Sequence, residues 1–295
     1  MVKVFIGISK LSLELSEYHD FKWLNEVEVF AIIDQQDSGN ISFGIIENDE
    51  RYFIKYAGAR NLEYTGDLQA AINRLKEAKK VYQHIDHPLL IHFIGTFQTE
   101  QGYGLKFKWV DGECMHNHWD FTPFEKYNSP DSPFVKLRKL SLQKRISILT
   151  QIYEFAVFVE SKGYVMVDFY DGSILYNFTN YELHICDIDF FKKAPVFNDI
   201  GEDFWGTTRL KAPEEYRLND EITSATNVYT LAGLAFAFIG GRSDKSFEKW
   251  EASISLYNIC TKALESNPSD RFETISSYYH QWNQALLIKN LGHNY

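Results

Sequence analysis

Four acidic residues flank a short predicted hairpin, and this feature most constrains how the chain can fold. Two strand-like runs cover residues 173–178 and 181–186, with a plausible tight turn at Thr179-Asn180. Two acids precede the first run and two follow the second: Asp168, Asp171, Asp187 and Asp189. Because a hairpin brings both pairs to one end, these carboxylates would repel one another unless a cation lay among them. We expect a hard divalent cation, most commonly Mg²⁺ with a phosphate.

This layout resembles the catalytic and metal-binding loops of the protein-kinase-like superfamily, in particular the bacterial serine/threonine kinases. In that family a catalytic Asp is followed five residues later by a metal-binding Asn, and a short hairpin leads into an Asp-Phe-Gly tripeptide. The resemblance implies that Asp168 is catalytic and that Ser173 stands at the Asn position. It implies that Asp187 holds Mg²⁺. Since a hydroxyl is a weaker ligand than an amide oxygen, Asp171 or Asp189 could compensate at the second metal position.

The composition is that of a folded globule. Of 295 residues, 45% are hydrophobic and 16% aromatic, which suffices for one large domain or two lobes. The formal net charge of −10 argues against nucleic acid and against an anionic membrane surface as partners. The three cysteines are widely spaced, the start lacks a secretory pattern, and no apolar run is long enough for a membrane span. We therefore expect a soluble, cytoplasmic protein.

The N-terminal third reads as an antiparallel meander. Three strand-like runs, 27–34, 41–47 and 51–56, are separated by two good turn sequences. Residues 1–28 carry mixed strand and helix signals, and we assign no chemistry to them. We treat them as an N-terminal extension.

The first turn of the meander resembles the glycine-rich loop of protein kinases, which covers the phosphates of ATP. Gly39 and Gly44 stand at the outer glycine positions, with Ser42 between them, while Ile41 replaces the middle glycine. The resemblance implies that Ile46 packs on adenine. An ordinary hairpin with incidental glycines is the alternative.

The third strand ends at Lys55 and resembles the strand whose lysine grips the α- and β-phosphates of ATP. A lysine there needs a partner, because burying an unpaired ammonium is costly. Apolar spacing predicts a helix over residues 66–84, and Glu77 on it is the best candidate partner. The alternative for Glu77 is a solvated helix face.

Two more strands are predicted over residues 89–97 and 103–109. The following segment resembles the kinase hinge, which implies that Lys108 and Val110 contact adenine through main-chain atoms. Residues 117–135 are aromatic, acidic and rich in proline, and we predict them to be irregular.

The C-terminal half is predicted to be mainly helical. Residues 140–162 show helical periodicity, and residues 228–239 are apolar on all sides, which is typical of a buried helix. The stretch from Thr207 to Glu214 resembles the end of a kinase activation segment, where the threonine steadies the catalytic Asp. The family pairing implies a buried ion pair between Glu214 and Arg271.

Several positions depart from the family pattern. Met166-Val167 replaces the His-Arg before the catalytic Asp, so there is no arginine to receive an activation-loop phosphate. Tyr170 stands where serine/threonine kinases carry a lysine on the γ-phosphate, and this predicts slow catalysis.

The resemblance implies an α+β, bilobal protein-kinase-like fold. Residues 29–109 would form a lobe with an antiparallel sheet and one helix, and residues 110–295 a mainly helical lobe. The implied function is ATP- and Mg²⁺-dependent transfer of a phosphoryl group to a hydroxyl, most commonly on serine or threonine of a protein substrate. The alternatives are a pseudokinase scaffold and a small-molecule kinase of the aminoglycoside type.

Overall fold

In a computed structural model that describes residues 1–6 and 11–291, the chain is a mixed α+β protein with antiparallel sheets. It divides into two units. The first comprises Met1–Asp111 and His184–Asp189, and the second comprises Gly112–Leu183 and Phe190–Tyr295. Within the described residues, no helix combines the length and apolarity needed to span a membrane.

An antiparallel sheet with the order β3-β4-β5-β7-β6 forms the centre of the first unit. The strands of this unit are β1 (Val2–Ile6), β2 (Leu11–Leu15), β3 (Glu28–Ile33), β4 (Asn40–Glu47), β5 (Glu50–Ala57), β6 (Phe93–Gln98) and β7 (Tyr103–Lys108). The predicted meander is confirmed. Asn48 and Asp49 both adopt positive φ between β4 and β5, which is the conformation of a tight hairpin turn.

Helix α1 (Leu68–His84) is the predicted helix of the first unit. Asp67 caps it, since its carboxylate accepts hydrogen bonds from the main-chain N–H groups of Gln69 and Ala70. The apolar face of the helix is buried and comprises Ala71, Ile72, Leu75, Ala78, Val81 and Tyr82. This burial fixes which helical side chains can reach the interior of the unit.

The first 24 residues contribute to the core of the same unit. Strands β1 and β2 pair antiparallel, and Leu13 and Leu15 are buried with Phe43 and Tyr56 of the sheet in one cluster. Of the mixed strand and helix signals in residues 1–28, the strand signal at the start corresponds to β1, and residues 7–10 lie outside the described residues.

The second unit contains most of the helices. They are α2 (Pro123–Asn128), α3 (Pro133–Lys139), α4 (Leu142–Ser161), α5 (Ser224–Ile239), α6 (Ile254–Ala263) and α7 (Ile275–Leu291). The remaining strands are β8 (Glu113–Cys114), β9 (Tyr164–Val165), β10 (Ile174–Asn177), β11 (Glu182–Ile185), β12 (Lys192–Lys193), β13 (Val196–Phe197) and β14 (Glu221–Ile222). Every residue of helix α5 from Thr230 to Ile239 is buried, as the apolar sequence predicts.

Strands β10 and β11 form the predicted hairpin. The side chain of Asn177 closes the turn, because its carbonyl oxygen accepts hydrogen bonds from the N–H groups of Thr179 and Asn180.

The prediction that residues 117–135 are irregular is wrong, since α2 and α3 lie there. Each helix has a proline in its first turn, where the missing N–H has no intrahelical partner to lose. Thr122 and Glu125 add a reciprocal cap to α2. The prolines of this segment therefore mark helix starts.

Candidate functional site

Lys55 is a buried cation on strand β5 of the first unit. It stands opposite Ser42 of β4 in the antiparallel register, so the two side chains share one face of the sheet. Two carboxylates offset the cost of burying its ammonium. Lys55 Nζ pairs with Asp187 Oδ1 and lies 2.6 Å from Asp189 Oδ2. Burial lowers the pKa of Lys55, but the two carboxylates outweigh burial and hold this pKa above its ordinary value.

The two carboxylates differ in exposure. The Asp187 side chain is 38% exposed, whereas that of Asp189 is 5% exposed. Tyr82 of α1 donates its hydroxyl hydrogen to Asp189 Oδ1 at 2.9 Å and accepts a hydrogen bond from the Ile188 N–H at 3.2 Å. Burial raises the pKa of the Asp189 carboxyl above its ordinary value, against the effect of Lys55. Asp187 is thus the carboxylate that a ligand can reach, while Asp189 is held inside the protein.

The predicted pairing of Lys55 with Glu77 is wrong. The Glu77 side chain is 69% exposed and pairs at 2.7 Å with Lys80, one turn along the same helix. The interior face of α1 presents Ala78, Val81 and Tyr82, which turns Glu77 toward solvent. Lys55 pairs instead with Asp187 and Asp189, the two aspartates that follow β11.

Both outer glycines of the predicted phosphate loop pack against side chains of the first unit. Gly39 has a φ of +80°, and a Cβ there would lie 2.8 Å from the Tyr64 ring. A Cβ on Gly44 would lie 2.6 Å from the ring of Phe30. A side chain at either position would clash with these rings, so packing within the unit accounts for both glycines whether or not they bind a ligand.

Two buried oxygens on β4 have no hydrogen-bond partner among the described residues: Asn40 Oδ1 and Ser42 Oγ. Asn40 and Ser42 are alternate residues of one strand, so their side chains project from the same face of the sheet as Lys55. Buried polar atoms without partners are rare and call for an explanation such as a bound ligand. This face is consequently the polar part of the first unit that is best suited to a ligand.

The other residues expected to contact ATP also lie in the first unit. Ile46 is half-buried on β4, and Lys108 is exposed at the end of β7. The main-chain N–H of Lys108 is donated to the His92 carbonyl at 2.9 Å, so it is already engaged. Val110 is half-buried two residues beyond that strand.

Asp168 and Thr207 lie in the second unit. Asp168 is half-buried, and its φ of 60° turns the chain sharply after β9. Asn227 of α5 holds the backbone just before it, through bonds of 2.8 and 2.9 Å to the N–H and the carbonyl of Met166. A buried helix therefore positions the loop that carries Asp168. Thr207 accepts main-chain bonds from Leu210 and Lys211 through its carbonyl.

A cluster that the sequence analysis missed surrounds Asp171, whose side chain is 1% exposed. Lys126 Nζ lies 2.6 Å from Asp171 Oδ2, and Arg209 lies 2.8 Å from Asp171 Oδ1. Burial raises the pKa of the Asp171 carboxyl, but the two cations outweigh burial and hold this pKa below its ordinary value. Its carboxylate is committed to two cations, which makes Asp171 a poor candidate for the additional metal ligand.

His116 completes this cluster. Both Lys126 and Arg209 contact its Nδ1. Burial lowers the pKa of His116 to about 4, and the two cations add to this effect. The imidazole is therefore neutral at pH 7. The capping signal Thr122-Pro123-Phe124-Glu125 was the available clue, since it starts the helix that carries Lys126.

Ser173 is completely buried in the turn before β10. Within the part of the chain that the structure describes, its Oγ has no hydrogen-bond partner, although its N–H donates to the Tyr170 carbonyl. An unsatisfied buried hydroxyl is consistent with a ligand-binding role, which is the role implied for this position.

Among residues 1–6 and 11–291, no group of three or more histidine, cysteine, aspartate or glutamate side chains is placed to hold a metal ion. Magnesium bound with a nucleotide needs fewer protein ligands, because phosphate oxygens and water complete its coordination. The partly exposed carboxylate of Asp187 fits that requirement.

Comparison with known proteins assigns the chain to no family. No protein-family model matches it, and no curated protein sequence matches it. Its function is therefore inferred from side-chain chemistry.

Proposed function

We propose that the protein is an ATP- and Mg²⁺-dependent phosphotransferase with a bilobal protein-kinase-like fold, acting on serine or threonine hydroxyls of proteins. The observation that carries the proposal is the ion pair between Lys55 and Asp187, residues that are 132 positions apart in the chain. A lysine on an antiparallel strand and an aspartate after a hairpin are the two groups that grip nucleotide phosphates and their metal in this chemistry.

Three further features support the proposal. The unpartnered oxygens of Asn40 and Ser42 share a face of the sheet with Lys55, as expected of a surface that binds a polar ligand. Asn227 anchors the loop before Asp168. Ala212-Pro213-Glu214 is tied to Arg271 by a buried ion pair, and an element of this kind favours a protein acceptor.

Each residue has a defined task in the proposed reaction. Lys55 would contact phosphate oxygens of bound ATP, and Asp187 would hold the metal. Bound Mg²⁺ supplies neutralisation of charge on the transferring phosphate. Asp168 accepts the proton of the acceptor hydroxyl. Because Tyr170 replaces a lysine that would stabilise the γ-phosphate, we expect slow turnover.

The test is transfer of radiolabelled phosphate from ATP to a generic protein substrate and to the protein itself. We expect Lys55→Met, Asp168→Ala and Asp187→Ala each to abolish transfer, and Glu77→Gln to leave it unchanged. Circular dichroism and thermal unfolding of each variant establish that it is folded. Transfer that survives both aspartate substitutions would rule out the assigned roles.

A pseudokinase scaffold is the second candidate, and two observations favour it. Tyr170 carries no charge, and the hydroxyl at Ser173 is a weak metal ligand buried in its turn. Thermal-shift titration with ATP, with and without Mg²⁺, separates the two candidates. We expect a metal-dependent increase in Tm for an enzyme, and no metal dependence for a scaffold.

A further inference from the structure

We propose that Asp189 is the residue that positions Lys55, and that Tyr82 connects this anchor to helix α1. This inference rests on the proposed phosphotransferase function, since it assigns positioning residues for the lysine that grips the nucleotide. In the Asp187-Ile188-Asp189 segment, Asp187 is then the outer carboxylate, available to the ligand, and Asp189 is the inner carboxylate, bound to the lysine.

The contacts of Asp189 are those of an anchor. Its two carboxylate oxygens have different donors: Oδ2 lies 2.6 Å from Lys55 Nζ, and Oδ1 lies 2.9 Å from the hydroxyl of Tyr82. Its side chain is almost completely buried, as is that of Lys55. A buried, doubly bonded carboxylate has one orientation, so it can hold an ammonium at a fixed place. The hydroxyl of Tyr82 bonds to Asp189 and to the Ile188 N–H, and neither of these two bonds involves the more exposed Asp187.

Tyr82 fixes both the side chain and the backbone of this segment. Its hydroxyl donates to Asp189 and accepts from the Ile188 N–H, so one group sets the position of two consecutive residues. Its ring packs edge-on against the ring of Phe107, with centroids 4.7 Å apart, and is stacked with the ring of Phe93. A displacement of α1 would consequently displace the segment that carries both aspartates.

Glu77, the acid on helix α1 that was expected to pair with Lys55, does not do so. Glu77 points to solvent and pairs with Lys80. The connection between the helix and the lysine therefore passes through a tyrosine hydroxyl and a buried aspartate.

Chemical labelling of lysines tests the anchor without any assumption about catalysis. An amine-reactive reagent is applied briefly to the full-length protein, and the modification of Lys55 is measured by mass spectrometry. We expect Asp189→Asn to increase labelling of Lys55 about tenfold, because the buried ammonium loses a charged partner. Tyr82→Phe, which removes only the hydroxyl, should increase it about threefold, as expected for one lost hydrogen bond. Asp189→Glu should restore part of the protection.

Two matched controls accompany these variants. Glu77→Gln changes the acid on α1 that does not touch Lys55, and Tyr52→Phe removes a hydroxyl that bonds to Glu50 at the surface. Both should label as the wild type does. If Glu77→Gln exposes Lys55 as much as Asp189→Asn does, the anchor is the helix glutamate and the proposal is wrong.

Kinetic measurements then test what the anchor is for. Asp189→Asn should raise KM for ATP and lower kcat while leaving the half-saturating Mg²⁺ concentration unchanged, because it disturbs the lysine and not the metal ligand. Tyr82→Phe should change KM and kcat in the same direction. A change confined to the Mg²⁺ dependence would instead make Asp189 a metal ligand and overturn the assignment. Should Asp189→Asn not fold, the labelling of Lys55 in Tyr82→Phe, compared with Tyr52→Phe, tests the same anchor. If labelling follows the expected order but the wild type transfers no phosphate, the proposed function fails and the anchor stands.

Discussion

Arg271 and Glu214 form a two-pronged ion pair in the second unit, although 57 residues separate them in the chain. Nη1 and Nη2 of the arginine lie 2.6 and 2.9 Å from the two carboxylate oxygens. Both side chains are removed from solvent, at 0% and 2% exposure, and the guanidinium also donates to the carbonyl of Ala225. The predicted pairing of these two residues is confirmed.

Breaking this pair should destabilise the second unit. Arg271→Met leaves the Glu214 carboxylate buried without its partner, so we expect a loss of about 3–5 kcal/mol in the free energy of unfolding. Urea denaturation of the full chain measures it. The double variant Glu214→Gln/Arg271→Met should recover part of this loss, because no charge then remains buried.

The control for this prediction is a surface pair. Arg217 contacts Asp220 at 2.5 Å, but the two side chains are 59% and 36% exposed. We expect Arg217→Met to cost less than about 1 kcal/mol. Equal costs for Arg217→Met and Arg271→Met would show that burial does not decide the strength of these pairs.

A second prediction concerns Lys126, which the sequence placed in an irregular segment. Removing its charge leaves buried Asp171 with Arg209 alone, so Lys126→Met should lower the free energy of unfolding by about 3 kcal/mol. Urea unfolding is the measurement. Lys136→Met, which breaks a half-exposed pair with Glu113, is the matched control and should cost less than about 1 kcal/mol. If Lys126→Met lowered the free energy of unfolding no more than Lys136→Met does, buried Asp171 would not depend on Lys126.

The local structure was largely predictable from neighbouring residues. The turn at Asn48-Asp49, the cap at Asp67 and the apolar run in α5 each act over a few positions, and the sequence signal coincides with the observed element. The errors have local causes too. Pro123 and Pro133 favour an irregular segment when only the composition is considered, whereas in the structure each starts a helix.

The partners of buried charges were less predictable. Glu77 is the acid that the predicted helix offers to Lys55, but Asp189, 134 positions after Lys55 in the sequence, takes that place. Which of several acids reaches a buried lysine depends on side-chain direction and on packing, as the outward position of Glu77 shows. The cluster of Lys126 and Arg209 around Asp171 was missed for the same reason, because these residues come from three separate segments.

A third prediction follows from Glu215, a buried carboxyl whose Oε2 accepts a 2.7 Å hydrogen bond from the Ala212 N–H. Burial raises the pKa of Glu215 from 4.5 to about 7, against the effect of that bond, and the neighbouring Glu214 adds to the rise. The folded chain therefore binds this proton more tightly than the unfolded chain does. Between pH 4.5 and 7 the free energy of unfolding should fall as pH rises, by about 3 kcal/mol in total from this group.

Glu215→Gln tests this pH dependence. The amide oxygen can still accept the Ala212 bond, but it does not ionise, so the slope due to this residue should disappear. Denaturant unfolding at intervals from pH 4.5 to 8 should show the variant close to the wild type at the acidic end and more stable at pH 8. An unchanged slope in the variant would assign the pH dependence to other groups.

The last prediction concerns strands β1 and β2, which lie in residues 1–28, the segment to which the sequence assigns no chemistry. Leu15 on β2 is completely buried in the cluster that includes Phe43 of the central sheet, so Leu15→Ala should lower the free energy of unfolding of the first unit by about 2–5 kcal/mol. Phe5 on β1 is exposed, and Phe5→Ala should change it by less than about 0.5 kcal/mol. Hydrogen exchange of the amides of β4 and β5 reports on this unit specifically. Their protection should fall in Leu15→Ala and remain in Phe5→Ala, because strands β1 and β2 contribute buried side chains to the core of this unit. If protection of β5 were unaffected by Leu15→Ala, β1 and β2 would be appended to the sheet and would not be part of its core.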